Sequence, residues 1–66
     1  MAFRILDTKP IDTDRALVTA ACEAGDTKPT GGFATGSACI ELDPSNNAVK
    51  AFFYSESDES WMEVSE

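Results

Sequence analysis

The strongest constraint on the fold is a pair of apolar runs separated by turn chemistry. Ser37-Ala38-Cys39-Ile40-Glu41-Leu42 and Val49-Lys50-Ala51-Phe52-Phe53-Tyr54 flank Asp43-Pro44-Ser45-Asn46-Asn47-Ala48. Such runs read as strands and the residues between them as a hairpin loop. Pairing Asp43 with Ala48 sets Leu42 opposite Val49, Ile40 opposite Ala51 and Ala38 opposite Phe53. Strand side chains alternate, so these six share one side of the sheet. Glu41 and Lys50 then meet on the other side as an opposite-charge pair. A slip by one residue undoes both matches at once.

The pattern continues beyond Ser55-Glu56-Ser57-Asp58-Glu59-Ser60. With Tyr54 opposite Trp61, Phe53 meets Met62 and Ala51 meets Val64, again on the first side. The expected fold is small and mainly β: a three-stranded antiparallel meander of residues 37–42, 49–54 and 61–64, plus an N-terminal strand, in one domain of residues 1–66. The first side carries Ala38, Ile40, Leu42, Val49, Ala51, Phe53, Met62 and Val64. It is read as the core, covered by Phe3, Ile5 and Leu17. The second side holds Cys39, Phe52, Tyr54 and Trp61 beside Ser37, Glu41, Lys50 and Glu63. Aromatic residues carry much of the energy of protein interfaces, so Phe52, Tyr54 and Trp61, with Phe33 as a loop anchor, are the candidate partner interface. The competing reading folds the N-terminal strand or Phe33 over them.

The N-terminal half is less decided. Phe3-Arg4-Ile5-Leu6 reads as a short strand ended by Asp7-Thr8-Lys9-Pro10, because Pro10 lacks a ladder donor. The same tetrapeptide returns as Asp26-Thr27-Lys28-Pro29, read as a second, similar turn. Between them, residues 12–24 suit a strand or a short helix, the latter making the fold α+β. A helix would start at Asp12 or Thr13 and stop at Gly25. Val18 and Thr19 favour a strand, and the β character of the rest tips the balance that way. Thr30-Gly31-Gly32-Phe33-Ala34-Thr35-Gly36 reads as a surface loop, since no Gly-Lys-Ser/Thr follows to make a phosphate cradle.

Size and charge restrict the function. A chain of 66 residues and 7.1 kDa draws only ~3–5 kcal/mol of net stability from its core. Cys22 and Cys39 read as buried thiols of a reducing compartment, with no signal peptide in Met1-Ala2-Phe3-Arg4-Ile5. The expectation is no metal and no cofactor: there is no histidine, and two distant cysteines do not make a zinc site. Association with copies of itself or with a larger body is the remaining source of stability. The net charge is −7, with five acids and four bases in residues 1–33 and seven acids against Lys50 alone in residues 34–66. That balance excludes phosphate-directed nucleic-acid binding and attraction to an anionic membrane. No apolar run approaches the roughly 20 residues of a spanning helix.

Catalytic chemistry finds little to use. Histidine is missing, and the serines and threonines have no base to activate them. Asp12 and Asp14 are spaced like the opening of a calcium loop, but its glycine and closing glutamate are absent. The expectation is a protein that is not an enzyme.

Asp26-Thr27-Lys28-Pro29-Thr30, Gly32-Phe33-Ala34-Thr35-Gly36-Ser37, Cys39-Ile40-Glu41, and Phe53-Tyr54 with Trp61 and Glu63 together resemble a group of short bacteriophage proteins encoded among head genes. The opening Phe3-Arg4-Ile5-Leu6-Asp7-Thr8-Lys9-Pro10 is similar as well. The chain departs from that group at the first hairpin, where Asp43-Pro44-Ser45-Asn46-Asn47 replaces a tight Asp-Thr-Gly turn. The resemblance implies a virion structural protein of the phage head, made in the cytoplasm of a host bacterium and serving in capsid decoration or head-fibre attachment. Its partners would be the major capsid protein or another virion protein, and copies of itself, a trimer among the options. The alternative is a small acidic inhibitor of a host defence or transcription protein, its carboxylates imitating DNA phosphates. A plain folded module with another partner is a third reading.

Overall fold

The computed structural model describes residues 2–11 and 14–64. Five strands form one open sheet: β1 (Arg4–Pro10), β2 (Ala16–Glu23), β3 (Ala38–Asp43), β4 (Ala48–Ser55) and β5 (Ser60–Glu63). They lie in the order β1-β2-β3-β4-β5, so every strand neighbours its sequence neighbour. Among the described residues there is no helix, and the fold is small and mainly β.

The meander forms in the expected register. Leu42 pairs with Val49, Ile40 with Ala51, Ala38 with Phe53 and Asp43 with Ala48. Tyr54 pairs with Trp61 and Phe53 with Met62, and the Val64 N–H reaches the Ala51 carbonyl at 2.8 Å. At the first turn Asn47 takes a positive φ of 51°, a conformation asparagine tolerates better than most residues. The Asn46 side-chain amide also donates to the Asp43 carboxylate at 2.8 Å.

Residues 16–23 are a strand, which settles the choice between strand and helix. Asp12 and Thr13, the proposed helix start and the first member of the calcium-like spacing, lie outside the described residues, as does Glu66. The two Asp-Thr-Lys-Pro copies differ in structure, contrary to the reading of two similar turns. Asp7-Thr8-Lys9-Pro10 continues β1 past a bulge between Ile5 and Asp7. Pro10 is tolerated because β1 is an edge strand, where a missing donor disrupts no second ladder. Asp26-Thr27-Lys28-Pro29 instead lies in the connection to β3.

That connection decides which side of the sheet becomes the core. β2 and β3 pair in parallel, Thr19 with Ala38 through Glu23 with Leu42. Parallel neighbours require a crossover of about a dozen residues or more. Residues 24–37 supply it without a helix, and they lie across the aromatic side. The buried residues are accordingly Val18, Ala20, Cys22, Phe33, Ala34, Ser37, Cys39, Glu41 and Tyr54.

This reverses the expected assignment of sides. Ile40, Leu42, Val49, Phe53, Met62 and Val64 all face solvent, with Phe53 49% and Val49 65% exposed. Of the three residues expected to cover them, Phe3 packs on the aromatic side instead, Ile5 is exposed, and Leu17 alternates with the buried Val18. The physical reason lies in the backbone of the crossover. An irregular segment carries N–H and C=O groups that must find partners. The aromatic side offers Tyr54 Oη and Trp61 Nε1 to that backbone and the Glu41 carboxylate to the crossover's Lys28. Over β3, β4 and β5 the aliphatic side offers hydrocarbon and a thioether, with hydroxyls only at its Ser55–Ser60 end.

Candidate functional site

Phe33, Phe52, Tyr54 and Trp61, the aromatic residues expected to meet a partner, are brought together, but inside the protomer. Phe33 stands at the centre of the ring cluster. Its centroid lies 5.5 Å from Tyr54, 5.4 Å from Trp61 and 6.1 Å from Phe3. Tyr54 and Trp61 meet edge to face at 5.1 Å. Tilted and edge-on ring pairs at these separations are attractive beyond their buried area. Tyr54 is only 1% exposed and Phe33 is buried, while Trp61 and Phe52 are half-buried under the crossover. Phe33 and Tyr54 are therefore core residues and not an exposed partner surface, while Phe52 and Trp61 keep part of their surface open.

Each polar handle in this cluster is used. The Gly31 N–H donates to Tyr54 Oη at 2.6 Å. Trp61 Nε1–H donates to the Pro29 carbonyl at 2.9 Å. Ser37, fully buried, accepts from the Val18 N–H at 3.1 Å and donates to the Ala16 carbonyl at 3.4 Å. Gly31 and Gly32 both hold positive φ, 84° and 85°, which lets the crossover turn over Tyr54 where a β-carbon would be strained.

Beside the rings lies a buried charge cluster. Lys28 of the crossover forms an ion pair with Glu41 of β3, and its Nζ sits 4.3 Å from the centre of the Phe52 ring. Glu41 and Lys50 are register partners, as expected. The ion pair made by Glu41 nevertheless runs to Lys28, a residue nineteen positions from Lys9 in the repeated tetrapeptide. Burial works to lower the Lys28 pKa, but the hydrogen bond to Glu41 and nearby negative charge outweigh it, and the net direction is upward.

Cys22 and Cys39 are both free, fully buried thiols with their sulfurs 3.8 Å apart. Burial pushes the Cys39 thiol up, and the neighbouring Cys22 adds to the effect, to about 12. A thiol held protonated and sealed from solvent is a poor nucleophile and a poor metal ligand. Among the described residues no group of three or more Cys, Asp and Glu side chains could hold a metal ion.

The unexpected feature is the opposite side. From β3 to β5 it presents Ala38, Ile40, Leu42, Val49, Ala51, Phe53, Met62 and Val64, with Ser55 and Ser60 at one end and no charged residue. On β2 it continues through Leu17, Thr19 and Ala21 to Glu23 at the margin. Continuous exposed apolar patches are the kind of surface that protein contacts use. The sheet edges are treated differently. β1 carries a bulge, Arg4, Lys9 and Pro10, and β5 is only four residues long, both devices that discourage edge-to-edge pairing. The chain thus protects its edges and leaves its face open.

The eight apolar residues of this face from β3 to Val64 were legible in the sequence as one side, and its extension over β2 was not. Their exposure was not, because it depends on where the crossover lies. No family model, curated protein or solved structure matches the chain.

Proposed function

We propose that this chain is a non-enzymatic structural subunit of a protein assembly, a virion accessory protein of the capsid-decoration or head-accessory kind that its sequence resembles. The observation that carries the reading is the charge-free apolar face across β3, β4 and β5, with Phe53 and Met62 each about half exposed. The protomer's own core is thin. Its largest fully buried side chains are Tyr54, Cys22, Cys39 and Ser37. A partner that binds only the folded form would stabilise such a chain by mass action.

The DNA-mimic alternative has less support. A mimic needs carboxylates free to meet a basic partner. At the β4–β5 turn, Arg15 engages both Glu56 and Glu59, at 3.4 and 3.6 Å. Glu56 also accepts the Thr35 N–H at 2.8 Å and its own N–H donates to Thr35 Oγ1 at 2.9 Å.

The test is the composition of virions purified from the phage that encodes the chain. Mass spectrometry is expected to find the chain in many copies per particle. Particles that are complete without it would overturn the assignment.

A further inference from the structure

We infer that the open face is covered by a second copy of this chain, the two sheets packing face to face as a two-fold sandwich. The inference rests on the reading of that face as an association surface, and names its occupant.

The first argument is area. The protomer measures 39 × 23 × 18 Å. Its two longer dimensions leave room on one side of the sheet for a contact on the scale of the ~800 Å² that each partner contributes to a stable interface. The second argument is shape. A two-fold contact places the same surface on both sides, so any projection must find its hollow on that same surface. Phe53 and Met62 stand out beside the small side chains Ala38 and Ala51. A shallow cavity of about 280 Å³, bordered by Leu42 and Val49 together with Glu23, Asp43 and the turn residues Pro44 and Asn47, opens at the hairpin end of the sheet. Large and small positions therefore alternate across one surface, as interdigitating sheets require.

The third argument is charge. A copy with a net charge of −7 is repelled by another copy. Yet none of the carboxylates of β3, β4 and β5 lies on this face, because Glu41, Asp43 and Glu63 all alternate to the aromatic side. On the same side as the open face, the flanking strands carry Glu23 of β2 and Arg4, Asp7 and Lys9 of β1, so a contact centred on β3 to β5 keeps like charges at its margin. The remaining repulsion acts between rims and is screened over about 8 Å at physiological salt. Edge-to-edge association, by contrast, would meet the bulge and Pro10 of β1 or the short β5.

Sedimentation equilibrium of the full chain, from about 1 to 200 μM, tests the inference. The expected species has twice the 7.1 kDa protomer mass. Phe53→Glu and Met62→Lys are each expected to weaken the dimer by roughly 30-fold or more, the scale of an interface hot spot, while circular dichroism retains the strand signal. Lys50→Ala, on the opposite side of the sheet beside Glu41, leaves the dimer unchanged. Should Phe53→Glu fail to fold, Val49→Lys reads the same face from a position already 65% exposed. A folded wild-type monomer throughout the range, a trimer, or a dimer indifferent to these face substitutions overturns the two-fold sandwich. A monomer that is still a component of purified virions defeats the second copy and leaves the structural role standing. A dimer absent from virions does the reverse.

Discussion

The hydroxyl of Tyr54 lies 2.6 Å from the backbone nitrogen of Gly31 and accepts its N–H, joining the C-terminal end of β4 to the crossover. Tyr54 also pairs with Trp61 in register, and Trp61 holds the Pro29 carbonyl. Two adjacent rings on neighbouring strands thus grip the crossover two residues apart. Tyr54→Phe keeps the ring and removes the acceptor. It is expected to cost about 1–2 kcal/mol, since the Gly31 N–H loses its partner. Urea unfolding of the two proteins checks this. Equal midpoints would mean that water replaces the hydroxyl without loss.

Lys28 and Glu41 form the second fastening of the crossover, with side chains only 15% and 11% exposed. Breaking a largely buried pair from one side leaves a charge without compensation. Lys28→Met is therefore expected to destabilise the protomer by about 2–4 kcal/mol. The double change Lys28→Met with Glu41→Leu is expected to recover most of that loss, because both charges leave together. A double-mutant cycle by denaturant unfolding decides it. Simple additivity of the two single changes would show that the pair is not coupled.

The meander was legible because its information is local. Alternation in residues 37–42 and 49–54, with Asp43 and Ala48 closing the turn, admits one register, and that register forms. The choice between the two sides was not local. It depends on β2 pairing with β3 in parallel, which sends residues 24–37 across one side of the sheet. A signal for that choice was present in the chemistry of the sides. Tyr54 and Trp61 can satisfy a crossing backbone and Glu41 a crossing lysine, whereas Ile40, Leu42, Phe53 and Val64 cannot. The length of the Gly- and Pro-containing stretch between Glu23 and Ala38 was a second signal, since a hairpin needs far fewer residues than a parallel crossover. Weighing aromatic rings as interface residues hid both, and it exchanged core for surface.

Alkaline pH is expected to loosen the fold through two groups acting in the same direction. Burial raises the Cys39 thiol from 9.0 to about 12, so the folded chain keeps a proton that the unfolded chain releases. Its contribution is whole below pH 9 and is lost as pH climbs from 9 towards 12. Lys28, raised above 10.5 in the fold, likewise contributes below 10.5 and loses that contribution above it. Stability should therefore fall above pH 9, with a slope of up to about 1.4 kcal/mol per pH unit from the thiol. Cys39→Ala is expected to show a shallower alkaline limb in urea unfolding. A variant whose alkaline limb is as steep as that of the wild type would remove Cys39 from the explanation.

Native Cys22 and Cys39 are expected to resist thiol reagents at neutral pH, because both are fully buried and Cys39 stays protonated. Alkylation should then follow the opening of the fold, slowing when stability rises and reaching the rate of an unfolded peptide in denaturant. Timed labelling read by mass spectrometry checks it. Immediate labelling of either cysteine in the native protein would contradict the sealed thiol pair.

Phe53 and Tyr54 are neighbours in sequence on opposite sides of β4, and truncating each should have a different dependence on protein concentration. Tyr54→Ala opens a cavity at the centre of the ring cluster. Core aromatic truncation costs ~3–5 kcal/mol, comparable to the whole net stability of a chain this small, so this variant is expected to be unfolded at every concentration. Phe53 is 49% exposed in the protomer, and its removal takes most from association. Phe53→Ala should therefore melt near the wild type in dilute solution. The gap should widen as concentration rises, because the wild type gains stability from the bound copy by mass action and the variant gains less. Thermal melts at two concentrations a hundredfold apart, by the same logic of linkage, separate the cases. A Phe53→Ala variant that is equally destabilised at both concentrations would place Phe53 in the protomer's own core and return the sheet to the opposite polarity.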